Sequence, residues 1–305
     1  MGRGESAKII DGAARAAALE AEVGAGVAAL KAAGGPTPGL AAIVVGAPPA
    51  SLLYVGRKAA RARACGMAPT VCHLPTTTSE SELLAAVAGF NTDPAVHAII
   101  VQLPLPPHIR LDVVLESIAP EKDVDGFHPL NSGRLANRNP AFIPCTPAGC
   151  MLLLRETIGS LRGRDALIVG CSTIVGRPLA QLLLDAGASV AIAHEHSRDL
   201  PDKVSRAEIL VSAAGVPGLI RGAWLRRGAV VLDVGINRVP AGDGRRVVGD
   251  VCFAEAIERA GAITPVPGGV GPMTVACLLA NSLAAARRSL SRGRVENWLA
   301  LERAA

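Results

Sequence analysis

Aromatic residues are almost missing: one tyrosine, two tryptophans and four phenylalanines in 305 residues. Basic residues are scattered in ones and twos rather than gathered in a stripe. Together these exclude a single-strand nucleic-acid binder, which needs stacking rings along a cationic groove. The seven cysteines are odd in number and contain no Cys-x-x-Cys, so neither a disulfide framework nor a zinc knuckle is expected, and no metal site. They read as reduced and mostly buried. No apolar run approaches the roughly 20 residues of a membrane span, and the segment from Met1 to Lys8 has no apolar core of a signal peptide. The expectation is a cytoplasmic protein with no membrane or nucleic-acid partner. A net charge of +5, from 31 basic and 26 acidic residues, leaves a weak preference for an acidic small molecule.

Half the residues are hydrophobic and 19% are charged, a composition that buries a core and excludes disorder. At roughly 100–200 residues per domain the length suits two, and no repeat of 20–50 residues is present. Residues 8–31 are Ala-rich and helical, up to the stop Gly34-Gly35-Pro36. The run 40–45 is continuously apolar and suits a strand buried on both faces. A helix over 49–65, a strand over 70–74, a helix from Ser79 to about Val87 opened by a Ser79/Glu82 capping box, and a strand over 98–102 follow. Residues 120–149 read as irregular and hold the expected domain boundary. The pattern then restarts: a helix over 148–157, a strand over 166–169, a helix over 178–186 and strands over 189–193, 209–212 and 230–234. A final helix starts near Met273, with Pro272 at its beginning. Alternating strands and helices imply an α/β protein with parallel sheets.

Gly170-Cys-Ser-Thr-Ile-Val-Gly176 lies between a buried strand and a helix, where backbone N–H groups and the helix dipole hold a pyrophosphate. It is not Gly-x-Gly-x-x-Gly, because Ser172 stands where a glycine would. The next strand ends at His194-Glu195-His196-Ser197-Arg198, where dinucleotide folds choose between a ribose hydroxyl and a 2′-phosphate. Glu195 suits the hydroxyl and so NAD; Ser197 and Arg198 pull toward NADP; a solvated loop charge is the plain alternative.

Tyr54 and Lys58 stand four apart on an expected helix and so share a face. A phenol offers a ring face and a hydroxyl, and a lysine shielded from water works as an acid or base; an ordinary surface helix fits the same spacing. Gln102 ends an apolar strand, at the sheet edge where open α/β folds bind ligands, or caps that end. Asp123 and Asp125 fall on one side of an extended piece, suited to a metal, to the edge of a heterocycle, or simply to turns. The segment from Ile263 to Thr274 holds three prolines and three glycines, a stiff loop that lets a ligand approach its backbone. These pieces suggest a two-domain enzyme that uses a nucleotide in a cleft.

Seven motifs in order, Tyr54-x-x-x-Lys58, Val101-Gln-Leu-Pro-Leu-Pro106, Pro120-Glu-Lys-Asp-Val-Asp-Gly126, Pro144-Cys-Thr-Pro-x-Gly149, Gly170-x-Ser-x-Ile-Val-Gly-x-Pro178, Asp233-Val-Gly-Ile-Asn237 and Thr264-Pro-Val-Pro-Gly-Gly-Val-Gly-Pro-Met-Thr274, closely resemble the bifunctional methylenetetrahydrofolate dehydrogenase/methenyltetrahydrofolate cyclohydrolase family. The resemblance implies an N-terminal catalytic, folate-binding domain over 1–147 and a Rossmann-type NAD(P)-binding domain over 148–272. A cleft would lie between them, with the helical segment 273–305 packing back on the first. It implies oxidation of 5,10-methylenetetrahydrofolate and hydrolysis of the product to 10-formyltetrahydrofolate, with a one-step NAD-dependent dehydrogenase as the alternative. By the same resemblance Lys58 is the acid/base, Gln102 tunes its proton affinity, Tyr54 lies against the folate ring and Asp125 binds the pterin edge. Pro265, Pro267, Gly268, Gly269, Gly271 and Pro272 would line the folate. Gly170, Cys171, Ser172, Thr173, Ile174, Val175, Gly176, His194, Glu195, Ser197 and Ile236 would hold the nucleotide. Family weight makes NADP the first choice and NAD the second, while Cys171 and Glu195, standing where many relatives carry Arg or Ser, thin the 2′-phosphate site and lean toward NAD. A homodimer is expected on the same ground.

Overall fold

The computed structural model describes residues 6–46, 49–139, 142–241 and 244–290. The chain divides into two compact units, each discontinuous in sequence. One combines Ala17–Cys145 with the chain from Val275 onward, and the other combines the chain up to Ala16 with Thr146–Thr274.

The first unit is built on three parallel strands in the order Ala68–Leu74, Gly39–Val45, Ala98–Val101. Every residue of the central strand is buried, which is why it reads as an unbroken apolar run instead of an alternating one. Ile43, Val45, Ile99 and Val101 meet Leu83 and Val87 from the helix Glu80–Thr92 in one core. That helix opens as expected: Ser79 Oγ accepts from the Glu82 N–H, and the Glu82 carboxylate accepts from the Ser79 N–H at 2.7 Å. A single bridge, Ile99 to Asp123, carries the sheet pairing one step into the segment that follows.

The second unit holds six parallel strands in the order Lys8–Ile9, Ala262–Ile263, Val230–Asp233, Ile209–Ser212, Asp165–Val169, Ser189–Ala193. Val169, Leu167, Leu210, Val231 and Ile263 form its core. Short helices such as Gly176–Asp185 connect the strands. An antiparallel pair, Asn237–Ala241 with Gly244–Val248, stands apart from this sheet.

Four features depart from the reading of the sequence. Residues 8–31 are not one helix: Lys8–Ile9 is an edge strand paired with Ala262–Ile263, and the helix is Gly12–Ala32. Pairing to a distant strand outweighs local helix preference there, and it draws the chain up to Ala16 into the second unit instead of a domain spanning 1–147. The irregular stretch 120–149 contains the helix Pro129–Ala136, whose first turn is capped by His128 Nδ1 accepting from the Leu130 N–H. Third, Leu111–Ser117 and Leu200–Arg206 are helical as well, too short to show a periodicity. Finally, the last described helix is Val270–Leu290, starting three residues ahead of Met273 with Pro272 inside its first turn, where a missing N–H costs nothing. It is long and apolar enough to match a membrane span, yet 72% of its most apolar stretch is buried inside the protein, as in a core helix. Residues 291–305 of the expected segment lie outside the described residues.

The cap makes a stability prediction: Ser79→Ala should lower unfolding free energy by about 1 kcal/mol, read as a drop of a few degrees in thermal unfolding. An unchanged transition would show that the helix start is held by something else.

Candidate active site

The helix Pro49–Ala64 brings Tyr54 and Lys58 onto one face. Lys58 is 6% exposed. Its Nζ lies 4.8 Å from the centre of the Tyr54 ring, within cation–π range, and donates to Gln102 Oε1 at 3.3 Å. Gln102 stands one residue past the strand Ala98–Val101. Its backbone N–H donates to Ile43 O at 2.8 Å and its Nε2 to Leu103 O at 2.8 Å, which leaves its side-chain oxygen for the lysine. So Gln102 does not merely cap the strand end; its amide is oriented toward Lys58.

The two aspartates suggested as a pair have separate jobs. Asp123 is buried, and its carboxylate accepts from the N–H groups of Gly126 (3.1 Å), Phe127 (3.2 Å) and His128 (2.8 Å) and from Asn131 Nδ2 (2.8 Å). It ties the turn that carries Asp125. Gly126 sits at φ +73° in that turn, and a Cβ there would lie 2.8 Å from Pro144 N. Asp125 takes none of these hydrogen bonds with its carboxylate. Burial lifts its carboxyl to about 6; Lys58 pulls it down and Asp123 pushes it up. Burial, then the charges of Asp125 and Cys145, lifts the Tyr54 phenol to about 12. Burial likewise puts the Cys145 thiol well above its usual range, with its sulfur 4.0 Å from Asp125 Oδ1. Tyr54, Lys58, Gln102 and Asp125 therefore form one cluster within the first unit.

Asn281, on the helix Val270–Leu290, escaped the sequence reading. Its Nδ2 donates to Val124 O (2.7 Å) and Ile143 O (3.1 Å), stapling together the segments on either side of Asp125. A single asparagine in an apolar helix gives no pattern to find it by. The cysteines are all unbridged; Cys65, Cys145, Cys150 and Cys277 are buried and the other three partly so. Among the described residues no three His, Cys, Asp or Glu side chains gather as a metal site.

The remaining candidates lie in the second unit, along the carboxyl edge of its sheet. Gly170 follows the strand Asp165–Val169 at φ +122°, and its N–H donates to Ala193 O at 2.8 Å. A Cβ on Gly170 would overlap Ala213 O, and one on Gly176 would overlap Gly170 O. Only glycine fits at either end of this loop. Ser172 Oγ accepts from the N–H groups of Val175 (3.2 Å) and Gly176 (3.4 Å), bracing the turn that leads into the helix Gly176–Asp185. This tight loop with a helix N-terminus behind it fits a dinucleotide's pyrophosphate. At the neighbouring strand end, the His194 N–H donates to Ser197 Oγ (2.9 Å) and the Ser197 N–H to His194 O (2.8 Å). That turn leaves the Glu195 side chain exposed. Ile236 is 61% exposed. The loop of Pro265, Pro267, Gly268 and Gly269 belongs to this unit too, with Gly271 and Pro272 in the helix that follows. The Ala13 N–H donates to Gly268 O at 2.9 Å, and a Cβ on Gly12 would overlap Gly269 O.

Comparison with known proteins agrees with both halves. Residues 10–125 match the tetrahydrofolate dehydrogenase/cyclohydrolase catalytic domain, and residues 144–290 match the NAD(P)-binding domain of the same enzymes. The chain belongs to the tetrahydrofolate dehydrogenase/cyclohydrolase family. It is 57% identical over 283 residues to the bifunctional protein FolD 1 of Rhizorhabdus wittichii, covering 92% of this chain and 96% of that one. The crystal structure of the bifunctional FolD enzyme from Campylobacter jejuni superimposes with a TM-score of 0.90 at 44% identity, covering 93% of this chain and all of that one. The Trypanosoma brucei FolD structure, complexed with NADP and an inhibitor, gives a TM-score of 0.91 at 43% identity over 94% of this chain and 99% of that one. The chain is thus a two-domain α/β protein of this family, with a catalytic and an NAD(P)-binding domain.

The electrostatics of the cluster make a direct test. Asp125 should titrate near pH 6 when its carboxyl is followed by carbon-13 NMR, and Lys58→Met should move that titration higher, because the lysine charge favours the carboxylate. A titration in the ordinary carboxylate range would mean Asp125 is open to water.

Proposed function

We propose that Lys58 is the acid/base of the hydrolytic half of this family's bifunctional chemistry, acting on the one-carbon bridge between N5 and N10 of tetrahydrofolate. The observation that carries this reading is a buried lysine held between a tyrosine ring and a glutamine oxygen, beside a half-buried carboxyl. Gly170, Cys171, Ser172, Thr173, Ile174, Val175, Gly176, His194, Glu195, Ser197 and Ile236 would hold the nicotinamide dinucleotide, which when bound would supply the hydride acceptor for oxidation of 5,10-methylenetetrahydrofolate to the 5,10-methenyl cation. The methenyl cation disfavours a charged ammonium beside it, so Lys58 acts as the neutral amine: water adds to the cationic carbon and Lys58 takes one of its protons. Lys58 returns that proton to N5 as the carbon–N5 bond breaks, the second proton of the water leaves to solvent, and the product is 10-formyltetrahydrofolate.

Gln102 fixes where the lysine nitrogen sits, and Tyr54 gives the folate ring a flat apolar wall while walling water from Lys58. Asp125, as a carboxylate, accepts from the N–H groups on the pterin edge. In this division the first unit is the catalytic domain and the second the nucleotide domain. Bifunctional relatives at 57% identity favour both activities over a one-step dehydrogenase. The likeness to a relative solved with NADP supports NADP as the first nucleotide and NAD as the second. A cytoplasmic homodimer working on folate, without nucleic acid or membrane, completes the reading and rests on the family likeness alone.

Lys58→Met should cut hydrolysis of supplied methenyltetrahydrofolate by roughly a hundredfold or more, while folate still binds and methenyl product accumulates during dehydrogenation. Undiminished hydrolysis removes Lys58 from the mechanism. Glu195→Ser removes a negative charge from the strand end that meets the adenine ribose, and should raise kcat/KM for NADP relative to NAD. An unchanged ratio makes Glu195 an ordinary surface charge.

A further inference from the structure

At the carboxyl edge of the six-stranded sheet lie two buried carboxylates to which the reaction above gives no role. Asp233 ends the strand Val230–Asp233, and Asp250 follows the strand Gly244–Val248; both are buried, Asp250 completely. Asp250 spreads its oxygens over two loops. Its Oδ2 accepts from the N–H groups of Ala214 (2.7 Å) and Gly215 (3.0 Å) and from the Ser212 hydroxyl (3.4 Å), and its Oδ1 accepts from Asn237 Nδ2 (2.8 Å). Asp233 holds the segment of Asp250 itself. Its Oδ1 accepts from the N–H groups of Asp250 (2.9 Å) and Gly235 (3.0 Å), and its Oδ2 from that of Val251 (2.9 Å). A Cβ on Gly235 would overlap the Asp250 carboxylate, and one on Gly249 would overlap that of Asp233.

Burial pushes the Asp233 carboxyl up to about 6, against the N–H groups of Asp250, Val251 and Gly235 that pull it down. Each carboxylate satisfies buried backbone N–H groups that strand pairing leaves over, which apolar packing could not do. What distinguishes these loops is their place. Ala213 O lies so close to Gly170 that no Cβ fits between them, and Asn237 directly follows the exposed Ile236. Both loops leave the same strand edge as the phosphate loop, next to which the nicotinamide half of a dinucleotide lies.

We propose that Asp250, supported by Asp233, is a positioning residue for the dehydrogenase step: it locks the Ala214–Gly215 backbone and the Ile236 loop at the spacing the nicotinamide end of the nucleotide requires. The proposal rests on the reading of this edge as the nucleotide site. Asp250→Asn keeps the size of the side chain but cannot accept on both sides, because its amide group faces either the Ala214 and Gly215 N–H groups or the Asn237 amide.

The test measures both activities separately. In Asp250→Asn the KM for the nucleotide should rise about tenfold or more, the loss of a charge-assisted hydrogen bond. Hydrolysis of supplied methenyltetrahydrofolate, which uses the other unit and no nucleotide, should stay within about twofold of the parent. Asn237→Ala, which removes one partner and leaves the fold to the other contacts, should move the nucleotide KM in the same direction by less and decides the matter if Asp250→Asn does not fold. An unchanged nucleotide KM in Asn237→Ala and in folded Asp250→Asn, or equal losses in both activities of Asn237→Ala, overturns the proposal. If the parent protein itself reduces neither NADP nor NAD with 5,10-methylenetetrahydrofolate, it is the reading of the nucleotide site that fails.

Discussion

Parallel strands deliver every carboxyl end to the same edge of a sheet, and within each unit the residues that matter for chemistry follow that constraint. Gln102 comes one residue after the strand Ala98–Val101, and Lys58 sits on the helix entered after Gly39–Val45. In the other unit Gly170, His194, Ala213 and Val234 each follow a strand of the same sheet. Strand pairing sets these positions to within one residue, because a parallel register slip would carry the whole loop away from its neighbours. The glycine at 170 is a consequence: two loops leaving adjacent strands come so close there that no side chain fits.

Within the first unit, placing an ammonium out of water is the expensive step. A glutamine oxygen, an aromatic face and the charge of Asp125 compensate Lys58 together, and none is a fully formed salt bridge. Asp123 makes this loose arrangement feasible. By accepting four hydrogen bonds it holds the turn without help from Asp125, whose carboxyl then remains available.

How much of this was legible in the sequence follows from distance along the chain. The strand Gly39–Val45 and the helix cap at Ser79 were readable because their causes are local: burial on both faces gives an apolar run, and a cap needs only residues three apart. The Tyr54–Lys58 face was readable from helix geometry, though the seven ordered motifs were needed to prefer it over a surface helix. The edge strand Lys8–Ile9 was not readable, since its partner Ala262–Ile263 lies at the other end of the sequence and two residues carry no period. Asn281 and Asp250 were hidden for the same reason. Each is a lone polar residue whose meaning comes from backbone groups far away in sequence. The different fates of Asp123 and Asp125, two positions apart, depend on which one the turn rotates toward four N–H groups.

The nucleotide edge has two parts with different freedom to change. Around Gly170, Gly176, Gly235 and Gly249 a single added carbon collides with backbone or with a buried carboxylate, so the loops there admit little variation. The turn from His194 to Ser197 is different. It is closed by its own hydrogen bonds, the His194 N–H to Ser197 Oγ, the Ser197 N–H to His194 O and the His196 N–H to His194 Nδ1, and none of them uses the Glu195 side chain. Position 195 can therefore carry a carboxylate, a hydroxyl or a cation with no cost to the fold. On the proposed reading a dinucleotide places its adenine ribose at this end and its nicotinamide at the rigid end. On that reading the choice between NAD and NADP is made at an exposed turn, apart from the loops that set the geometry of hydride transfer.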